Sequence, residues 1–201
     1  MSENKHPPGL RILFFTEMWE RMSYYGMRGI LVLFMTASIS NGGLDFSNAS
    51  ASAIYGIYAA AVYLATLPGG WIGDNILGQQ KTILYGGIVI MLGHLTLAIP
   101  NMNFFYLGLT LVVIGTGLLK PNISAIVGGL YEKNPSLREA GFTIFYMAIN
   151  LGSILGFFIC GYLGENIGWH YGFGAAGIGM LLGVLQYTIK VNSCLLYTSP
   201  S

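Results

Sequence analysis

Six apolar stretches, each long enough to cross a lipid bilayer, divide this chain and leave few folds open to it. They lie near Leu10–Ile39, Ser50–Gly73, Thr82–Ile99, Phe104–Leu130, Ala140–Leu163 and Tyr171–Lys190. A helical span needs about 20 predominantly apolar residues. In hydrocarbon every backbone N–H and C=O must be paired within the protein, so stretches of this kind become helices. The breaks between them are turn-rich: Ser40 to Asn48, Asp74 to Lys81, Pro100 to Asn103, Tyr131 to Glu139 and Gly164 to His170. Charged residues make up 8% of the chain and hydrophobic ones 54%, with a mean hydropathy of +0.62. A soluble domain carries about 25% charged residues. The expected fold is therefore an all-α membrane protein. A six-helix bundle over 10–190 follows a polar segment, 1–9, and precedes a tail, 191–201. The first stretch exceeds a straight span, so tilt or projection from the bilayer is expected.

The basic residues give the orientation. Outside the spans, Lys and Arg occur at Lys5, Arg11, Lys81, Lys133, Arg138 and Lys190, all on one side of a six-span arrangement. The opposite loops carry Asp45 and Glu165 and no base. By the positive-inside rule this predicts a multi-pass protein of the cytoplasmic (inner) membrane with both ends cytoplasmic. A net charge of +1 argues against a nucleic-acid partner. Met1 to Gly9 is not a signal peptide, being short and polar. Cys160 and Cys194 form neither a disulfide framework nor a metal-ligand spacing. There is no HExxH, no GxSxG and no His/Asp cluster at membrane depth, so no enzyme is expected. The tail from Ser193 reads as a truncation with a non-native end; a short natural tail is the alternative.

Charge inside the first span is expensive, roughly 2.5–3.5 kcal/mol for a central Arg or Asp on insertion scales. Glu17, Glu20, Arg21, Tyr24, Tyr25 and Arg28 nevertheless fall on one stripe of that helix. The stripe is polar and the rest of the helix is apolar, which turns the polar face toward the protein interior. An Arg beside two carboxylates can act as a proton switch, because moving the Arg changes how readily a buried acid ionises. A static ion pair bracing the helix is the plainer alternative. Against it, Glu17 reads as surplus once Glu20 and Arg21 have paired, and a surplus buried acid is costly. Arg28 and Lys120 add two interior cations without further acids at similar depth, and a ligand carboxylate would balance them. Asn150, in hydrocarbon, is expected to face inward toward partners. His94 is expected to be a packing histidine with one hydrogen bond. Tyr55, Tyr58, Tyr106 and Tyr131 are assigned to packing or to the interfacial belt. The pairs Gly152/Gly156 and Gly179/Gly183 have the spacing of close helix contacts.

Four motifs carry a family resemblance. Glu17-x-x-Glu20-Arg21 with Tyr24-Tyr25-Gly26 resembles the first-helix signature of the proton-dependent oligopeptide transporters, a family of the major facilitator superfamily. The run from Gly69 to Ile83, with Asp74 and Gly78, resembles that family's loop 2–3 signature. Gly117-Leu-Leu-Lys120-Pro121-Asn122 is similar to its fourth-helix motif, and Phe142 to Ser153 to its fifth-helix signature. The resemblance runs from about Thr16 to about His170.

The resemblance implies the N-terminal six-helix half of a symporter moving di- and tripeptides with protons. The proton is the coupling ion and no other cofactor is expected. Glu17, Glu20, Arg21 and Lys120 are implied to couple proton movement to transport. Tyr25, Arg28, Tyr63, Lys120 and Asn150 are implied to bind the peptide, with Arg28 and Lys120 at its carboxylate. Gly70, Asp74 and Lys81 are implied to gate the cytoplasmic side. Gly56 stands where animal members carry a functional His, which points to a prokaryotic-type member. The partners expected are peptides, protons, the lipid bilayer and a missing C-terminal half that holds the amine-binding acid. Two alternatives stay open: a proton-coupled carrier of another small anion such as nitrate, and a non-transporting membrane subunit. Retention of Glu17 and Glu20 favours peptide, since anion-specialised relatives often lose the acidic motif.

Overall fold

The computed structural model describes residues 6–194, with side chains described through 191. Six long helices form within that range: α1 Pro8–Thr36, α2 Asn48–Ile72, α3 Gln79–Leu97, α4 Met102–Gly129, α5 Arg138–Asn166 and α6 Trp169–Cys194. The expected six-helix count is met. Lys5 and the tail beyond Cys194 lie outside the described residues, and with them the reading of that tail.

Local chemistry sets several boundaries. Pro8 opens α1, where its missing N–H costs nothing. The Ser47 hydroxyl caps α2 by accepting from the Ser50 N–H at 3.1 Å. The Asn101 side chain does the same for α4, accepting from the Asn103 N–H at 2.9 Å. α2 runs on through a π turn, Gly73–Leu77, and stops at Gly78. There φ is +78°, a left-handed backbone that glycine adopts without strain.

α2 with its π turn, α4, α5 and α6 are each long and apolar enough to cross a membrane by length and composition alone. α1 falls short because of its ionisable stripe, and α3 because Gln79, Gln80 and Lys81 form its first turn. These two rely on their neighbours. α1 packs on α5 and α6, and α3 on α4 and α6, while α2 packs on α4.

Glycine makes the contacts close. A Cβ on Gly86 would lie 2.8 Å from the Gly115 carbonyl oxygen, and one on Gly93 3.0 Å from that of Gly108, so α3 and α4 meet backbone to backbone. A Cβ on Gly156 would lie 2.7 Å from the Gly26 nitrogen, joining α5 to α1. Gly179 and Gly183 sit against Met22 and Trp19, joining α6 to α1. Both small-residue pairs read from the sequence are thus helix contacts.

The core divides into two apolar clusters along the bundle. One gathers around Met27, Leu31, Phe34, Leu97, Phe105 and Phe173, the other around Leu13, Ile83, Leu119, Phe145 and Tyr187. Glu17, Glu20 and Arg21 fall between them on α1. The start of α1 and the end of α6 lie on one side of the bundle. His6 Nδ1 is 2.8 Å from the Tyr131 hydroxyl after α4, and the Tyr187 hydroxyl donates to the Gln80 carbonyl at 3.1 Å. At the other side Trp169 Nε1 donates to the Asn41 carbonyl at 3.1 Å, closing the α1–α2 and α5–α6 connections together.

Candidate functional site

The ionisable stripe of α1 is buried. Glu17, Glu20 and Arg21 have 2%, 0% and 2% of their surface exposed, so whatever balances them must come from one another or from nearby side chains. Arg21 Nε donates to Glu20 Oε2 and lies 3.0 Å from Glu17 Oε1, forming an ion pair with each acid. One guanidinium nitrogen therefore serves both acids. This corrects the expectation that Glu17 is surplus: it shares the arginine with Glu20. Among the described residues, Glu17 Oε2, Glu20 Oε1 and Arg21 Nη2 have no hydrogen-bond partner. With both acids ionised the cluster would carry one net negative charge, and it has unused hydrogen-bonding capacity in a place where charge is costly to leave unpaired.

Lys120 supplies the missing positive charge at longer range. It is half-buried on α4, within electrostatic reach of Glu17, Glu20, Arg21 and Arg28. Its Nζ lies 5.9 Å from the centre of the Tyr63 ring. Among the described residues no carboxylate forms an ion pair with Lys120. Pro121 follows it and removes a helical N–H donor. Asn122 then fastens α4 to α2: its Nδ2 donates to the Gly69 carbonyl at 3.0 Å and to the Leu118 carbonyl at 2.7 Å. The sequence put Asn122 in a motif without giving it this work.

Arg28 lies two turns beyond Arg21. Its Nε donates to the Tyr55 hydroxyl, and its Cζ sits 5.0 Å from the centre of that ring. The sequence alone assigns Tyr55 to packing or the interfacial belt; the structure sets it against Arg28. The signal available in the sequence was its eight-residue spacing from Tyr63, two turns along the same helix. Tyr25 is half-buried, with its ring 5.5 Å from that of Tyr24 and 6.2 Å from that of Phe157. The Arg21 Cζ stands 5.1 Å and 5.9 Å from the Tyr24 and Tyr25 rings.

Asn150 departs from its expectation. It is exposed on α5, and its side chain makes no hydrogen bond among the described residues. Tyr63 is 67% exposed, at the open face of α2. So the structure brings Glu17, Glu20, Arg21, Tyr25, Tyr63 and Lys120 together and sets Arg28 with Tyr55 just beyond. Asn150 is left exposed on α5. His94 is fully buried with neither ring nitrogen hydrogen-bonded, which corrects the single bond expected of it. Gly56 faces open space, with nothing within 4 Å of where a Cβ would stand.

The loop between α2 and α3 is a separate place. Asp74 is exposed and accepts from Gln79 Nε2 at 3.0 Å, which stiffens the turn. Gly70 sits against Pro121, at 3.6 Å from a built Cβ, and Lys81 is exposed. A cavity of about 870 Å³ opens here, lined by Asp74, Gln79, Tyr131, Glu132, Arg138 and Phe142. It lies at the end of the bundle that holds the start of α1 and the end of α6, away from the charge cluster.

A family model described as PTR2: POT family matches residues 80–191. Over 185 residues the chain is 51% identical to an uncharacterized transporter, YclF, of Bacillus subtilis, covering 92% of this chain and 38% of that protein. It is 48% identical over 184 residues to a di-/tripeptide transporter of Lactococcus lactis, covering 90% of this chain and 37% of that one. The crystal structure of a peptide transporter in complex with sulfate superposes with a TM-score of 0.93 at 46% identity, covering 98% of this chain and 40% of that chain. This chain therefore spans less than two fifths of the length of these two sequence relatives. With its family match extending over more than half of its length, this multi-pass membrane chain belongs to the POT family.

Proposed function

We propose that this chain is the N-terminal half of a proton-coupled symporter for di- and tripeptides in the cytoplasmic membrane, with both ends cytoplasmic. The observation that carries the reading is one buried arginine nitrogen shared by Glu17 and Glu20, with Lys120 in electrostatic reach. A proton taken up by either acid weakens its hold on Arg21. It also changes how strongly Lys120 is drawn toward the acids, leaving that cation free for a peptide carboxylate. Arg28, held by Tyr55, is the second cation for that carboxylate. Tyr25 and Tyr63 frame the peptide, and Asn150 reaches it from α5 once α5 and α2 close around it. Gly70, Asp74 and Lys81 act at the cytoplasmic gate. The amine-binding acid belongs to the second six-helix half.

The test is uptake of labelled dipeptide by the full-length transporter in proteoliposomes, with and without an inward proton gradient. Wild type should concentrate dipeptide only with the gradient. Glu20→Gln should abolish gradient-driven uptake while leaving peptide exchange largely intact. A potential of 100 mV supplies about 2.3 kcal/mol per charge moved, and only a titrating group can harness the proton's share. Gradient-driven uptake that survives Glu20→Gln, or transport of nitrate in place of dipeptide, would sink the reading.

A further inference from the structure

Tyr58 is buried to 4% exposure on α2, yet its hydroxyl has no hydrogen-bond partner among the described residues. Leaving a buried hydroxyl unbonded is unfavourable, and nothing in packing requires it, since Phe would fill the same space.

The register of α1 against α2 shows what the hydroxyl is near. The two helices run antiparallel and meet at the Arg28–Tyr55 hydrogen bond. One turn from Arg28 back along α1 is Tyr24; one turn on from Tyr55 along α2 is Tyr58. A further turn on each reaches Glu20 and Arg21 on α1, and Val62 and Tyr63 on α2. Tyr58 thus stands between the acidic cluster and the Arg28 subsite. The ionisable groups within its electrostatic reach are Tyr24, Glu20, Arg21 and Arg28, all of α1. From α4, the other helix packed on α2, Lys120 faces the same acids.

Glu20 Oε1, across this gap, is itself buried and without a partner. An unpaired donor on α2 and an unpaired acceptor on α1 are therefore within electrostatic reach of one another and are not hydrogen-bonded in this conformation. We propose that Tyr58 is a positioning residue of the proton-coupling centre, whose hydroxyl donates to Glu20 Oε1 when α1 and α2 close together during the transport cycle. The bond satisfies both orphans at once. It holds the Glu20 carboxylate in its charged form as Arg21 moves away, and so sets the pH at which Glu20 takes its proton. This inference rests on the proton-coupling role proposed for Glu20.

The test is an infrared pH titration of the buried carboxyl band of the purified full-length protein, assigned to Glu20 by its absence in Glu20→Gln. Tyr58→Phe keeps the ring and removes only the donor. It should move that titration to higher pH by about one unit, because a hydrogen bond to the charged form has been lost. The pH of half-maximal dipeptide uptake should follow, with KM and exchange rate within about twofold of wild type. A titration that does not move overturns the inference, whatever the cargo. A titration that moves in a protein that fails to carry dipeptide upholds the inference and overturns the cargo. Should Tyr58→Phe not fold, fluorotyrosine at position 58, a stronger donor, should move the titration to lower pH, and no movement overturns the proposal equally.

Discussion

At the residue scale the site is defined by which polar atoms have partners. Arg28 is held by Tyr55, while Lys120 has only a ring and distant acids around it. The two cations should therefore respond differently to a ligand. A hydrogen bond to a charged group contributes about 1.5–3 kcal/mol, so Lys120→Ala or Arg28→Ala should weaken dipeptide affinity roughly ten- to a hundredfold. C-terminal amidation of the peptide should cost much less in either variant than in wild type, because the lost interactions overlap. Tyr55→Phe should give a smaller loss, several-fold, by freeing the guanidinium from its fixed orientation. Competition against a labelled dipeptide measures all of these. Fully additive losses would send the carboxylate elsewhere.

At the scale of helices, packing depends on absent side chains. Gly117 on α4 faces Ala65 on α2, where a Cβ would lie 2.6 Å from the Ala65 Cβ, and Gly156 meets the Gly26 backbone. Overpacking a filled contact costs typically about 1–3 kcal/mol. Gly117→Val and Gly156→Val should each lower the thermal unfolding midpoint in detergent by several degrees, whereas Gly56→Ala, with open space around it, should not. Equal midpoints for all three would refute these contacts. The end of α4 makes a different test. Burial pushes the Tyr131 phenol above its ordinary value of about 10, and a Cβ on Gly141 would strike its ring. A group whose folded value is raised stabilises fully below its unfolded value and loses that contribution as pH climbs through the folded one. The packing of Tyr131 against α5 and His6 should therefore loosen above about pH 10. Tyr131→Phe should flatten the alkaline fall in the thermal midpoint, and an unchanged fall would place its cause elsewhere.

At the scale of the whole molecule, the side of the membrane is the open question that labelling answers. Contacts already place the start of α1 and the end of α6 on one side and the α1–α2 and α5–α6 connections on the other. Single cysteines at Ser47 and Asn101 should react with an impermeant thiol reagent applied to intact cells, and one at Ser136 should not. Labelling at Ser136 would invert the orientation. The broad apolar exteriors of α2 and α5, with Leu64, Leu67, Trp71, Ile154 and Phe158 exposed, suit lipid or another bundle rather than water.

The apolar periods alone determined that there are six helices, because hydrocarbon forces any stretch of that length to satisfy its own backbone. The charged stripe of α1 was equally legible, since 3.6-residue geometry puts Glu17, Glu20, Arg21 and Arg28 on one face wherever the helix sits. What the one-dimensional pattern could not supply was how neighbouring helices are set against one another. That Arg21 serves Glu17 as well as Glu20 depends on a rotamer chosen by packing. That Tyr55 rather than Asn150 meets the cations depends on α2 lying beside α1 while α5 turns Asn150 to its open face. Both Tyr55 and Tyr58 looked like belt tyrosines, because a tyrosine's sequence neighbours do not say which helix stands across from it. Pairing between helices is fixed by where backbones can approach, at Gly69 and Gly117 or Gly26 and Gly156, and those contacts exist only once the bundle has formed.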